Sequence, residues 1–251
     1  MSEDTATRDG QNVALVHEQL RRAILAGDIP PGQATSQIVL ARELGVGRTP
    51  LREALRMLQH EGLVLSQPNR RVRIAKLSVE DLEELYVARI ALEAVATRLT
   101  VPSLAPEDIA VLEGLIAQMD SLIELGSIAA IITAHHAFHA GFVKGAGERP
   151  AVLIGQLFDH AQRYQNIYAA SAPDRWPLRR AEHRAILDAA KKGDSDATAD
   201  ALAIHYVRTA RLVAAGLDPD YELTRLRGTL AAVAPGAVAE FDQPVLGGGA
   251  D

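Results

Sequence analysis

The chain has 251 residues, 48 % hydrophobic, 23 % charged and 4 % aromatic, with a net charge of −6 and no cysteine. That composition is globular and excludes a disordered or fibrous protein, while the missing thiols exclude a disulfide framework, a thiolate metal site and a cysteine nucleophile. No apolar run reaches the roughly 18 to 20 residues that span a bilayer, and the acidic start MSEDTATRDG lacks the basic-then-apolar order of a secretory signal, so the expectation is a cytoplasmic protein with no membrane partner.

The charge is divided unevenly. Residues 11–76 carry ten Lys/Arg against five Asp/Glu, a net +5, and residues 77–251 carry fifteen against twenty-four, a net −9. A basic block ahead of a longer acidic one suggests a nucleic-acid-binding head on a body with another task. Residues 1–10 read as a flexible tail. Val13, Val16, Leu20 and Ile24 recur at helical spacing up to Gly27. After the turn Pro30-Pro31-Gly32, a short helix follows Ser36 as N-cap. The link Gly45-Val46-Gly47 leads to a third helix starting near Thr49-Pro50, with Leu51, Ala54, Leu55 and Leu58 on its inner side. Two β-prone stretches, 63–66 and 71–74, flank a turn at Gln67-Pro68-Asn69-Arg70. Helix, helix, tight turn, helix, hairpin is the layout of a winged helix-turn-helix, placed here over residues 11–76.

On the third helix Arg48, Arg52 and Arg56 fall four apart, opposite the leucines. A helix that is apolar on one side and cationic on the other suits the major groove, where arginine binds phosphate or guanine. Thr49 sits at the same N-terminal end, and Asn69, Arg70, Arg71 and Arg73 at the hairpin are placed to grip flanking backbone. The alternative is a solvated basic face on a small helical domain.

From residue 77 the pattern is almost wholly helical, with six helices at about 79–99, 106–125, 127–144, 150–170, 175–192 and 195–216 and a mobile tail from 221 to 251. The fold class is mainly α: a winged helix-turn-helix and an all-helical bundle over 77–220. His135 and His139, one turn apart, fall on the apolar stripe of their helix; His183 shares a stripe with Ile186 and Leu187, and His205 one with Leu202 and Leu212. Four inward imidazoles from three helices can converge on one ion, and neutral nitrogen ligands suit Zn, Ni, Co or Cu. A single inward histidine is more often a hydrogen-bonded core residue. His160 and Tyr164 share a stripe that can line the same cavity, and His136 points off it. In the first bundle helix Leu82, Leu85, Leu92 and Ala96 read as inward, and Arg89 lands among them. A buried guanidinium must be paired, either to Glu93 one turn on or to the carboxylate of a bound molecule.

The stretches RRAILAGDIPPG and LARELGVGRTPLREALRMLQHEGLV resemble the N-terminal domain of the GntR family of bacterial transcription regulators, from about Val13 to Ile74. Residues 78–216 resemble the FCD ligand-binding domain of the FadR subgroup, through YVARIALEAVA, AEHRAIL and IHY. The resemblance implies that Arg48, Thr49, Arg52 and the wing read a short palindromic operator as a homodimer. It further implies that an Asp and three His hold a divalent transition metal, Zn or Ni, beside a small organic-acid effector. His139, His183 and His205 match those histidines, and His135 stands where the Asp belongs. The expected function is a regulator, a repressor by default, whose operator affinity an effector held by Arg89, His160 and Tyr164 modulates. The other readings are a metal-responsive regulator and a metal-dependent hydrolase fused to a DNA-binding domain; no carboxylate base beside the cluster favours the last, and no catalytic residue is assigned.

Overall fold

The computed structural model describes residues 3–67, 71–171 and 176–243. Among them the chain forms eleven α-helices and one small sheet. It divides into two compact units, Met1–Ser78 with Gln162–Asn166, and Val79–Ala161 with Ile167–Asp251.

The first unit comprises α1 (Glu3–Ala26), β1 (Ala34–Ser36), α2 (Gln37–Leu44), α3 (Arg48–His60), β2 (Val64–Gln67) and β3 (Arg71–Ile74). Residues 3–10, expected as part of a flexible N-terminal tail, are the first turns of α1. Val16, Leu20 and Ile24 of α1 close on Leu51, Leu55 and Leu58 of α3 and on Val72 and Ile74 of β3 to make the core. The Ser36 hydroxyl accepts from the Val39 N–H at 3.2 Å, and Gly45, at φ 65°, ends α2 in the left-handed region. The third helix starts at Arg48, with Gly47 as a cap lacking any side-chain bond. Thr49, expected to cap it, is therefore inside the first turn. The Gly47 carbonyl accepts from the Leu51 N–H at 3.2 Å, and its extended backbone does the capping residue's work. The sheet order is β1-β3-β2, both pairings antiparallel. The three-residue β1 has no period to betray it in the sequence.

The second unit contains α4 (Val79–Thr100), α5 (Pro106–Glu124), α6 (Ile128–Gly141), α7 (Glu148–Ser171), α8 (Trp176–Lys191), α9 (Ser195–Leu217), α10 (Thr224–Val233) and α11 (Val238–Phe241), with α7 lending Gln162–Asn166 to the first. The first six fall within three residues of their expected ends. Two expectations are corrected. Leu92 is 37 % exposed and joins Val95 and Leu99 in an outward row, while Leu82, Tyr86, Arg89, Glu93 and Thr97 face in. α4 is apolar on both sides, so periodicity alone does not choose the inner one. The segment expected as a tail from 221 is instead helical as far as Phe241. Leu223, Leu226, Leu230, Ala234 and Ala237 are buried, at a helical spacing that Ala- and Gly-rich composition obscures. Among the described residues no helix is long and apolar enough to cross a membrane.

Candidate functional site

On α3 the buried face, Leu51, Ala54, Leu55 and Leu58, fixes the helix against its unit, and Arg48, Thr49, Arg52 and Arg56 are thereby exposed on the other side. Glu53 lies between two of them, 3.3 Å from Arg52 and 3.0 Å from Arg56. These ion pairs are solvent-exposed and weak, so they yield readily to phosphate. The four-residue spacing of Arg48, Arg52 and Arg56 puts their side chains on one side of the helix. In the hairpin Arg71 is exposed, whereas Arg73 donates to the Gly32 carbonyl at 3.0 Å and fastens β3 to the turn before β1. Asn69 and Arg70 lie outside the described residues.

The second unit brings His135 and His139 of α6, His183 of α8 and His205 of α9 together. A ligand atom from each lies within 4.8 Å of every other, and all four residues are buried. His135 Nε2 and His139 Nε2 are 3.0 Å apart, a few tenths of an ångström under the roughly 3.4 Å that separates neighbouring nitrogens on a tetrahedral ion with bonds of about 2.1 Å.

Their surroundings choose the tautomers. Tyr206 donates its one hydroxyl proton to Glu93, so its contact with His139 Nδ1, at 3.1 Å, requires Nδ1–H to be the donor. His139 Nε2 is then left with a lone pair facing the cluster. On the far side Glu182 accepts from His205 Nδ1 at 2.7 Å, which likewise frees His205 Nε2. Burial first, and the neighbouring imidazoles second, hold His135, His139 and His183 well below the usual histidine range. His205 is lowered too, by burial against the opposing pull of Glu182. Burial thus favours the neutral form at all four, the form in which imidazole binds a metal. The residues fit a divalent transition ion.

Beside the cluster Arg89 is fully buried, with Nε donating to Glu93 at 2.9 Å and the guanidinium 4.1 Å from the Tyr206 ring centroid. Burial opposes its charge, but Glu93 and the phenols of Tyr206 and Tyr86 outweigh that and keep it ionised. Among the described residues its Nη1 and Nη2 have no hydrogen-bond partner, nor has the Tyr86 hydroxyl. Buried donors of this kind are ordinarily satisfied, by protein, by water or by a ligand. A cavity of about 270 Å³, lined in part by Phe158, Ile154 and Val143, reaches both Glu93 and His139. His136 is exposed at its edge, stacked on Phe158 at 4.2 Å.

Of the three residues expected to hold an effector, Arg89 alone is shown beside the histidines. His160 is half-buried on α7 and outside the group of four. Tyr164 is buried in the first unit, its hydroxyl accepting from the Ser78 N–H at 3.2 Å and donating to the Ser78 carbonyl at 3.1 Å. Sequence reading missed Glu182 and Tyr206, although each is the chain neighbour of a cluster histidine.

The family model of the bacterial regulatory proteins of the gntR family matches residues 13–74, and that of the FCD domain matches 84–208. The chain is 31 % identical over 184 residues to a probable D-xylose utilization operon transcriptional repressor of Paenarthrobacter nicotinovorans, covering 72 % of this chain and 80 % of the relative. With the HTH-type transcriptional regulator YdhC of Bacillus subtilis it shares 27 % over 191 residues, 76 % of this chain and 85 % of that one. The solved structure of E. coli McbR/YncC superposes with a TM-score of 0.70 at 24 % identity, covering 80 % of this chain and 96 % of the other, a likeness of fold.

Proposed function

The chain belongs to the gntR family of bacterial regulatory proteins, with an FCD domain behind its winged helix, and from that premise we propose that it is a metal-containing repressor, dimeric on its operator, which a small carboxylate releases. It is a DNA-binding transcriptional regulator and not an enzyme. The observation that carries the finer reading is the conjunction of four buried, converging imidazoles with a buried guanidinium whose two terminal nitrogens lack partners among the described residues.

A bound divalent ion supplies Lewis acidity and coordination positions for an effector oxygen. The chain does the rest. Arg89 offers two parallel N–H donors, the arrangement that matches a carboxylate. Glu93 and the Tyr206 ring hold that fork in place, and Phe158 and Ile154 line a cavity that reaches Glu93 and His139. The effector then shifts operator affinity only by as much as it binds the operator-free state better.

The test adds Zn(II) or Ni(II), then a panel of short mono- and dicarboxylates, to protein on DNA selected from a random pool. Release by a carboxylate only in the metal-loaded protein is expected. Release by metal alone would favour a metal sensor instead. In the same assay Arg48→Ala is expected to weaken discrimination between selected and random DNA by about 1–3 kcal/mol, the worth of one base-edge contact, with the far-UV spectrum unchanged. Unchanged discrimination would mean that α3 is not the reading helix.

Dimerisation is supported by the outward row of α4. Leu92, Val95 and Leu99 are 37 %, 52 % and 57 % exposed, on a helix whose opposite face is core. A helix apolar all round is ordinarily covered on both sides, and a two-fold partner is the commonest cover. Val95→Glu is expected to turn a dimer into a folded monomer by light scattering and to weaken operator binding. A dimeric Val95→Glu protein would move the interface elsewhere.

A further inference from the structure

The FCD match ends at residue 208, yet the chain beyond it is fastened to the bundle. Glu83, 1 % exposed, accepts from the Tyr221 hydroxyl at 2.9 Å and from the Arg225 and Leu226 N–H groups at 2.7 and 3.1 Å, which fixes where α10 begins. At the turn into α11, Gly236 lies so close to α9 that a Cβ there would collide with the Asp200 carboxylate. These two anchors deliver Glu240 to α9. Its oxygens receive Arg208 Nε at 2.7 Å and Nη2 at 2.9 Å, and its carbonyl receives Arg211 Nη1 at 3.0 Å.

Arg208 has one more arm in use. Its Nη1 donates to Glu182 Oε1 at 3.1 Å, and the other oxygen of Glu182 is the one that accepts from His205 Nδ1. An unbroken series of charge-assisted hydrogen bonds thus runs from α11 to a histidine of the cluster. We propose that Glu240 is a positioning residue for the metal centre, holding Arg208 so that Glu182 keeps the His205 imidazole turned toward the ion, and that the segment beyond the FCD domain thereby sets metal affinity. An arginine side chain loses considerable rotamer freedom when it is fixed. The two-pronged grip of Glu240 removes that freedom in advance, so the third contact, to Glu182, forms at little entropic cost. His205 and Arg208 both bind the buried Glu182 carboxylate, one on each oxygen. Without Arg208 it faces the imidazole with one partner fewer and less restraint on its own rotamer.

The inference rests on the four-histidine site, and the test separates the two. Zn(II) affinity is measured on the full chain by competition with a chromophoric chelator, and the visible spectrum of the Co(II)-loaded protein reports the ligand field. Glu182→Gln, a direct partner of a ligand, is expected to weaken binding about 10- to 100-fold. Glu240→Gln, one link further, is expected to weaken it about three- to tenfold and to shift the Co(II) bands in the same direction. Arg208→Lys, which keeps the charge but cannot divide a fork between two carboxylates, is expected to match Glu240→Gln. Asp242→Asn, which breaks the Arg227 pair on the same segment but outside the series, is expected to change nothing. The double variant Glu182→Gln/Glu240→Gln is expected to bind as Glu182→Gln alone, because the second change acts only through the first. Wild-type affinity in Glu240→Gln, or a double variant showing the full product of both losses, would overturn the proposal with the metal site intact. A wild-type chain that takes up no metal would remove the site and the proposal together.

Discussion

Replacing His139 and His183 by alanine together is expected to leave the chain without metal, where the wild type is expected to hold one ion per chain. The four ligand atoms come from three helices and lie within 4.8 Å of one another. Either single replacement leaves three nitrogens, as many protein ligands as many zinc enzymes use, so weakened but measurable binding is expected. The double variant leaves His135 and His205 alone, too few to compete with water and buffer. Elemental analysis after desalting should fall from near one equivalent to below about a tenth, and with it goes the stabilisation by bound metal, about 4 kcal/mol when free metal stands at a thousand times its Kd. Both changes also open space in a buried region, which destabilises the apo fold by itself. The discriminating quantity is therefore the difference between melting with Zn(II) and melting with chelator, large in the wild type and absent in the double variant. His136→Ala supplies the control, since that ring is exposed against Phe158 on the same helix and not in the cluster. Full metal content in the double variant would show that the ion sits elsewhere.

The convergence of these histidines was readable because each falls on a stripe of aliphatic residues, and a stripe needs only a period. The six helix spans of the bundle were readable for a related reason. Pro106, Gly126, Pro150 and Gly193 interrupt the periodicity close to where the helices end. What the sequence concealed depends on neighbours in space. Glu182 precedes His183 directly and lies about 100° around α8 from it, so no stripe includes both; it is buried because α9 brings His205 and Arg208 against it. Tyr206 is hidden the same way beside His205, and its role appears only once Glu93 of α4 accepts its hydroxyl hydrogen bond. The helices α10 and α11 were concealed by composition, since alanine and glycine in that stretch read as loose chain until Leu226 and Leu230 are seen fully buried. In the reading head, the arginine line of α3 was legible, while the N-cap moved two residues, because Gly47 caps through its backbone and leaves no side-chain signature.

Arg89→Met is expected to cost about 3–5 kcal/mol of stability, a large part of the 5–15 kcal/mol that a domain ordinarily has. The residue and its partner Glu93 are 0 % and 1 % exposed, and their contact is 2.9 Å. Removing the guanidinium leaves a carboxylate in the core with, among the described residues, the Tyr206 hydroxyl as its remaining hydrogen-bond donor. Most of the loss therefore belongs to the stranded charge and not to missing arginine contacts. The companion variant Arg89→Met/Glu93→Gln removes both charges, and its amide oxygen still accepts from Tyr206. It is expected to recover most of the stability, since a buried pair replaced as a unit is often neutral or favourable. Ligand binding should separate from stability at that point. The double variant keeps the four imidazoles and is expected to bind Zn(II), yet to lose the carboxylate-induced rise in melting temperature, because the fork with two unfilled donors is gone. Arg89→Lys retains a charge for Glu93 but not the parallel pair of donors, so intermediate stability with the same loss of carboxylate response is expected. A double variant that recovered stability and still responded to carboxylate would make Arg89 a structural partner of Glu93 alone, and would move the anionic end of the effector to the ion.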